Sequence, residues 1–245
     1  LRAEVDGEDI RRSYSICSAQ DAGYLEVGIK QVYRGAFSNY ASQLKAGDCL
    51  DVMPPQGRFT CETGGKNRYL LIAAGSGITP SLSIASSVLA GEPESEITLL
   101  YGNQTMASIM FKSELEALKD RYTNRFLLNH FLSRERHDQE IFTGRIDAEK
   151  IAELHAKHLL NVAEFDAVYL CGPVEMIESV EQKLGELGCD KGCIKRELFA
   201  TGESPVQRTP IEPKANGAHG ADITIRIDGS EKSVKVDADQ DTVLS

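Results

Sequence analysis

The sequence predicts two successive architectures: an antiparallel β-barrel over residues 1–65, then a doubly wound α/β unit with a five-stranded parallel sheet over 66–200. Three observations lead there. Short alternating stretches separated by Gly, Pro and Asp fill the first part, apolar runs alternating with helical stretches fill the second, and a Gly-rich turn sits where the first of those runs ends. After them comes a segment with almost no large apolar residue, and then a terminal hairpin.

In the first part, Tyr24–Lys30 and Cys49–Met53 alternate apolar and polar residues, which suits half-buried antiparallel strands of a barrel. From Arg68 the rhythm changes. Apolar runs at Tyr69–Ala74, Ile97–Tyr101, Phe126–Phe131, Ala167–Cys171 and Ile194–Phe199 predict five strands, with helices at 79–90, 109–122, 147–160 and 174–187 between them. In the second helix Met110, Phe111, Leu115 and Leu118 share one face, a core stripe and not a cofactor contact. Residues 201–220, with Pro205, Pro210, Pro213 and Asn216-Gly217, read as a linker. Ile223–Ile227, Asp228-Gly229 and Val234–Val236 then read as a β-hairpin over 221–245, a unit too small to stand alone, so a further domain is expected beyond it.

Composition narrows the function. The net charge of −10 over 245 residues makes a nucleic-acid partner a poor expectation. No apolar run is long enough to cross a bilayer, and the chain opens on Leu1-Arg2-Ala3 without a charged and greasy leader, so no membrane partner is expected. The six cysteines form no even ladder, which fits a reducing cytoplasm. Cys189 and Cys193 have neither thioredoxin nor zinc spacing and read as small apolar residues; the five scattered histidines give no metal site. There is no G-x-S-x-G elbow and no H-E-x-x-H.

The chemistry-bearing residues form an ordered series. Gly75-Ser76-Gly77-Ile78-Thr79-Pro80 follows the first parallel strand, where glycines permit a tight turn and a helix N-terminus offers unpaired N–H groups to a pyrophosphate. A bare G-x-G turn also follows many strands without any ligand, and Pro80 stands where a dinucleotide fingerprint has its third glycine. The second strand ends in Tyr101-Gly102-Asn103, with no carboxylate for ribose hydroxyls, which disfavours an ordinary Rossmann dehydrogenase. Ahead of these stands Arg12-Ser13-Tyr14-Ser15, and Gly35-Ala36-Phe37-Ser38 is expected on a later strand. Arg can pair a diphosphate, Tyr can stack on a flat heteroaromatic and Ser can hydrogen-bond a ring nitrogen. Each would be bland alone, as a solvated face or a packing residue. Cys171-Gly172-Pro173 closes the fourth strand.

Together, R-x-Y-S, G-x-x-S, G-S-G-I-T-P, Y-G-N and C-G-P resemble the ferredoxin–NADP reductase superfamily over residues 1–200, and the domain order resembles the reductase components of bacterial multicomponent oxygenases. The resemblance implies FAD on Arg12, Tyr14 and Ser15, with Arg12 at its pyrophosphate, Tyr14 against the isoalloxazine and Ser15 near N5. It implies Gly35, Ala36, Phe37 and Ser38 at the FAD diphosphate through backbone and hydroxyl groups. Gly75, Ser76, Gly77, Ile78, Thr79 and Pro80 would cradle the NAD(P)H pyrophosphate, and Cys171, Gly172 and Pro173 would flank the nicotinamide, with Ser15 and Cys171 as the catalytic pair. Ser133 and Arg134 would form a clamp for a 2′-phosphate, with Asn103 nearby, a lean towards NADPH over NADH; Arg134 is equally an exposed member of the run Arg134–Asp138. Glu197 and Phe199 fall where the family's last strand faces FAD, or else are a strand-end ion pair and a core aromatic.

Two departures from the family follow. The family's barrel has strands ahead of R-x-Y-S that this sequence does not contain, which implies an N-terminally truncated FAD barrel. The hairpin resembles the start of a β-grasp ferredoxin domain, yet residues 221–245 contain no cysteine, so a 2Fe-2S cluster belongs to the full-length protein and cannot bind here. The implied function is an oxidoreductase that takes hydride from NAD(P)H onto FAD and passes electrons to an iron–sulfur domain and an oxygenase. The alternatives are a stand-alone flavin or quinone reductase and a non-catalytic nucleotide-binding module.

Overall fold

The computed structural model describes residues 1–199 and two strands at 221–227 and 230–236; the expected linker lies outside the described residues. β1 (Arg2–Val5) and β2 (Glu8–Arg11) form an antiparallel pair around Asp6 and Gly7, whose φ values of 54° and 80° make the tight turn. β3 (Leu25–Gly28) receives a single antiparallel bridge, Ile16 to Val27. Its other edge takes β9 (Ala221–Ile227) in parallel, a pairing with the first part of the chain that the reading of a separate domain did not include, while β9 pairs with β10 (Ser230–Val236) antiparallel as the alternation led one to expect.

The segment 49–53 contributes one bridge, Arg2 to Asp51, and no full strand. Pro54 and Pro55 directly after it remove two backbone donors, so a ladder cannot continue. Gly35–Ser38 is likewise not a strand: Gly35 is the N-cap of a short helix, α1 (Ala36–Ala41). The Ser38 hydroxyl decides this locally, accepting from Val32 N at 3.1 Å and donating to Gly35 O at 3.2 Å, which closes the chain into a turn. Phe37, Ala41, Leu44, Val27, Ile29 and Leu50 form the small core of this first part.

The five-stranded parallel sheet matches the expectation element for element. β4 (Arg68–Ala74), β5 (Glu96–Asn103), β6 (Phe126–Leu132), β7 (Ala167–Gly172) and β8 (Ile194–Leu198) stand in the order β6-β5-β4-β7-β8. The order reverses between β4 and β7, and crevices for ligands open beyond the carboxyl ends of strands at such a switch point. α2 (Ile78–Gly91) and α3 (Lys112–Arg121) pack on one face, α4 (Ala148–Ala156) and α5 (Val174–Glu186) on the other. α3 starts three residues later than its apolar spacing indicates, because Phe111 adopts a left-handed conformation (φ 56°); its ring is buried all the same. Asp147 caps α4 by accepting from Lys150 N at 2.8 Å.

α2 is buried nearly all round, which an amphipathic surface helix never is. One side lies on the sheet and the other meets the first part of the chain. Ser83 Oγ donates to Ser18 O at 2.7 Å, and Gln20 N donates to Ser87 Oγ at 2.9 Å. Nearby, a side chain on Gly28 would come within 2.6 Å of the Phe111 ring and 2.9 Å of Thr79, so β3 needs glycine there to dock. Tyr169 and Lys195 reach from the sheet to Thr60 O at 3.2 and 2.8 Å.

Candidate active site

The carboxyl ends of β4, β5, β7 and β8 and the docked segment Arg12–Cys17 meet on one edge of the sheet. β4 hands the chain into a 3₁₀ turn, Gly75–Gly77, and then into α2. Gly75 has φ 55°, which glycine adopts without strain, and Gly77 lies so close to β7 that a Cβ would stand 2.1 Å from Cys171 O. The turn is braced from the side by Tyr101, whose hydroxyl donates to Gly75 O at 2.9 Å, and from within by Thr79 Oγ1, which donates to Ser76 O at 3.0 Å. Ile78 and Pro80 are fully buried in protein, so only backbone at those positions can face a ligand. Gly172 is closely packed, a Cβ there meeting the Met176 methyl at 2.7 Å and Ala74 at 3.2 Å; Pro173 then caps α5.

Ser15, Cys171 and Glu197, 182 residues apart at the extremes, converge here. Ser15 Oγ donates to Glu197 Oε2 at 2.7 Å, and Cys171 Sγ stands 4.0 Å from the same oxygen. Cys171 is fully buried; burial, with the Glu197 charge adding, pushes its thiol well above the usual range, so it is a neutral S–H. Burial also raises the Glu197 carboxyl, and the Ser15 hydrogen bond works against that rise. The hydroxyl and the thiol thus meet at one carboxyl oxygen from the edge strand. Phe199 follows one residue after β8, half-buried.

Arg12 is exposed, and its guanidinium rests on Arg11 O at 2.8 Å. Its backbone is fixed by a reciprocal pair of bonds to Leu1, each 2.9 Å. Tyr14 packs at 5.6 Å on Phe37, and its hydroxyl is pushed up to about 12 by burial, against the pull of the Arg12 charge. Phe37 itself is a core residue and Ser38 is engaged by its own turn. At Gly35–Ser38, what remains for an anion is therefore the first-turn backbone N–H groups of α1.

Asn103 ends β5 almost completely buried, and neither its amide oxygen nor its amide nitrogen has a hydrogen-bond partner. A native interior rarely leaves both ends of an amide unpaired, so the pair is free for a ligand at this edge. The chain after β6 is tied beside it: Ser133 N donates to Asn103 O at 2.9 Å and Arg134 N to Gln104 O at 2.8 Å. Arg134 is exposed, and among the described residues its guanidinium has no ion-pair partner.

Two residues escape a reading of the sequence alone. Lys30, just past β3, holds its ammonium 4.0 Å from the position a Gly75 Cβ would occupy, placing a cation over the glycine turn. A lysine at a strand end is ordinary, so only the docking of β3 on α2 reveals it. His130 lies behind Tyr101 (ring centroids 5.7 Å), and burial lowers it to about 4. No helix among the described residues is long and apolar enough to span a membrane, and no group of three or more metal-ligating side chains occurs among them.

The geometry fits a flavin and a nicotinamide dinucleotide: glycine-only backbone beneath a cation, an unpaired amide, and a tyrosine shelf across the seam. Comparison with known proteins points the same way. The family models "Oxidoreductase FAD-binding domain" and "Oxidoreductase NAD-binding domain" match residues 1–61 and 71–182. The chain is 40% identical over 247 residues to one component of the 1,2-phenylacetyl-CoA epoxidase of Escherichia coli (strain K12), covering 100% of this chain and 68% of that one. It is 30% identical over 194 residues to NADH-cytochrome b5 reductase 1 of Kluyveromyces lactis, covering 78% of this chain and 68% of that one. Among solved structures, the flavohemoglobin of Malassezia yamatoensis with bound FAD and heme superposes with a TM-score of 0.68 at 25% identity, over 81% of this chain and 50% of that one.

Proposed function

Because the chain belongs to the ferredoxin–NADP reductase family and is an FAD-containing NAD(P)H oxidoreductase, we propose that it is the reductase component of a multicomponent oxygenase system acting on an aromatic coenzyme A thioester. In this reading residues 1–65 hold FAD, residues 66–200 hold NAD(P)H, and the hairpin at 221–245 begins a 2Fe-2S ferredoxin-like domain in the full-length protein. The likeness to the E. coli epoxidase component supports the choice of oxygenase.

The observation that carries the redox reading is the convergence of Ser15, Glu197 and Cys171 across the seam. When bound, a nicotinamide would supply hydride chemistry and a flavin would supply the exchange between two-electron and one-electron transfer. The chain's own residues do the rest. The Gly75–Gly77 turn and Lys30 bind a pyrophosphate through backbone N–H groups and charge. Tyr14 gives a flat, half-buried face for a ring. Buried Cys171 excludes water from the meeting point, and its neutral thiol puts no competing anion there. Ser15 Oγ, bonded to Glu197 Oε2, can pass a proton inward from a half-buried carboxyl, so the reducing end of the cleft has a proton source that bypasses bulk water. Arg134 and Asn103 are assigned to the ribose end of the dinucleotide, with NADPH favoured.

Anaerobic mixing of the FAD-loaded protein with NADPH, and separately with NADH, tests the reading. Bleaching of flavin absorbance is expected with at least one coenzyme, faster with NADPH. No bleaching with either ends the proposal; equal rates end the coenzyme assignment alone. The oxygenase partner is tested on the full-length protein, where one-electron transfer to an oxygenase component should require the cysteines downstream of the hairpin.

A further inference from the structure

Away from the cleft, the loop from α5 to β8 brings two thiols together. We propose that Cys189 and Cys193 form a reversible dithiol–disulfide site, oxidised by peroxide, that staples the end of α5 to the start of β8. Their Sγ atoms are 3.4 Å apart and both cysteines are free. A disulfide is about 2.05 Å long, so closure needs a movement of roughly 1.4 Å, within reach of small rotations about two short side chains.

The backbone holds the pair in place from both sides. Gly188 turns the chain out of α5 with φ 94°, and Cys189 N donates back to Leu184 O at 2.9 Å. The Asp190 carboxylate then caps the next turn by accepting from Gly192 N at 3.0 Å, and Cys193 N donates to Asp190 O at 3.1 Å. Both thiols are directed at that same carbonyl, Cys193 at 3.0 Å and Cys189 at 3.8 Å. A structural metal is not the reason for the pairing: no third ligand completes a site among the described residues.

The two sulfurs differ in exposure, and this divides their roles. Cys193 is half-buried and reaches solvent, whereas Cys189 is 7% exposed and part of the core. Cys193 Sγ attacks one oxygen of hydrogen peroxide; the O–O bond breaks, leaving a sulfenic acid on Cys193 and releasing water. Cys189 Sγ then attacks Cys193 Sγ, the S–S bond forms, the S–O bond breaks, and the hydroxide leaves as water with the Cys189 proton. Two thiols and one peroxide give one disulfide and two waters. Burial, with the Cys193 thiol adding, pushes Cys189 up to about 12, so peroxide from solvent reacts first at the more exposed Cys193. β8 begins at the next residue, Ile194, paired to Val168, and carries Glu197, so the staple fixes the strand that delivers the carboxyl to the cleft.

Peptide mapping after treatment of the intact protein with a small excess of hydrogen peroxide and blocking with N-ethylmaleimide tests this. Lys191 lies between the two cysteines, so trypsin separates them and a linked pair of peptides is diagnostic. That pair is expected, reversed by dithiothreitol, while exposed Cys49 serves as an internal measure of oxidant dose. In Cys189→Ser a dimedone adduct should appear on Cys193; in Cys193→Ser neither link nor adduct should form at Cys189. The proposal is overturned if Cys193 goes to sulfinic or sulfonic acid without a linked pair, if Cys189 or Cys193 links elsewhere, or if both survive a dose that oxidises Cys49. The wild-type map decides this even if a variant folds poorly.

Discussion

At the scale of single residues, the seam depends on groups whose protonation the fold has moved. Glu197 has a raised carboxyl, so its protonated form is favoured in the folded protein, and the stability this brings is lost as pH rises through the raised value. Glu197→Gln keeps an acceptor for Ser15 and removes the titration. It should melt no lower than wild type at pH 8, with the difference shrinking towards pH 5, while flavin reduction slows about ten- to hundredfold through loss of the proton source. Thermal melts across pH and stopped-flow traces check the two halves separately. His130 works in the opposite sense: its folded value is depressed from 6.5 to about 4, so stability held above pH 6.5 is lost on acidification towards 4. Allowing for its partial exposure, His130→Gln should recover about 2 kcal/mol at pH 4.5 relative to pH 7.5, measured by urea unfolding at both. Gly77→Ala should cost about 3 kcal/mol or more, because the clash is with the Cys171 carbonyl and not with a movable side chain.

At the scale of elements, the five strands and four helices of the second unit were legible because each buries a continuous apolar run or stripe and each is bounded by Gly, Pro or a polar turn. The sequence was a poorer guide where side chains bond their own backbone or the chain turns left-handed. Ser38 turns a segment read as a strand into α1, and Phe111 shortens α3 by entering a conformation that aromatic residues seldom adopt. Of the residues that converge at the sheet edge, the glycine turn and Cys171 lie where the sequence order puts them, at the ends of β4 and β7. The place of Lys30 over that turn was not legible, because it depends on how β3 docks on α2, a contact that no local pattern encodes. Glu92 is a second case. It caps the end of α2 at 1% exposed, and despite burial its carboxyl is held below the usual range by Ser95, by Gly64 and Gly65 N–H and by Tyr69. Its contribution is present above the ordinary carboxylate value and lost as pH falls below it. Glu92→Ala should therefore cost about 3 kcal/mol at pH 7 by leaving those donors unpaired, with a smaller loss near pH 3, as followed by chemical denaturation.

At the scale of the whole molecule, the two parts of the chain share enough contacts to unfold together. Ser18 and Gln20 are bonded to α2, Thr60 accepts from both Tyr169 and Lys195, and Ser15 is bonded to β8. One calorimetric transition is expected, coincident with loss of near-ultraviolet signal; two resolved transitions would contradict it.

The far end of α2 holds a further lever. The Arg125 guanidinium grips three carbonyls there, Leu89, Glu92 and Ser95, at 2.8 to 3.0 Å. A 14-residue helix is about 21 Å long, so this grip lies about that far from the glycine turn. It nevertheless anchors the rod whose opposite tip is the glycine turn proposed to take the pyrophosphate. A change at the base of that rod is expected to be felt as looser coenzyme capture at the other end.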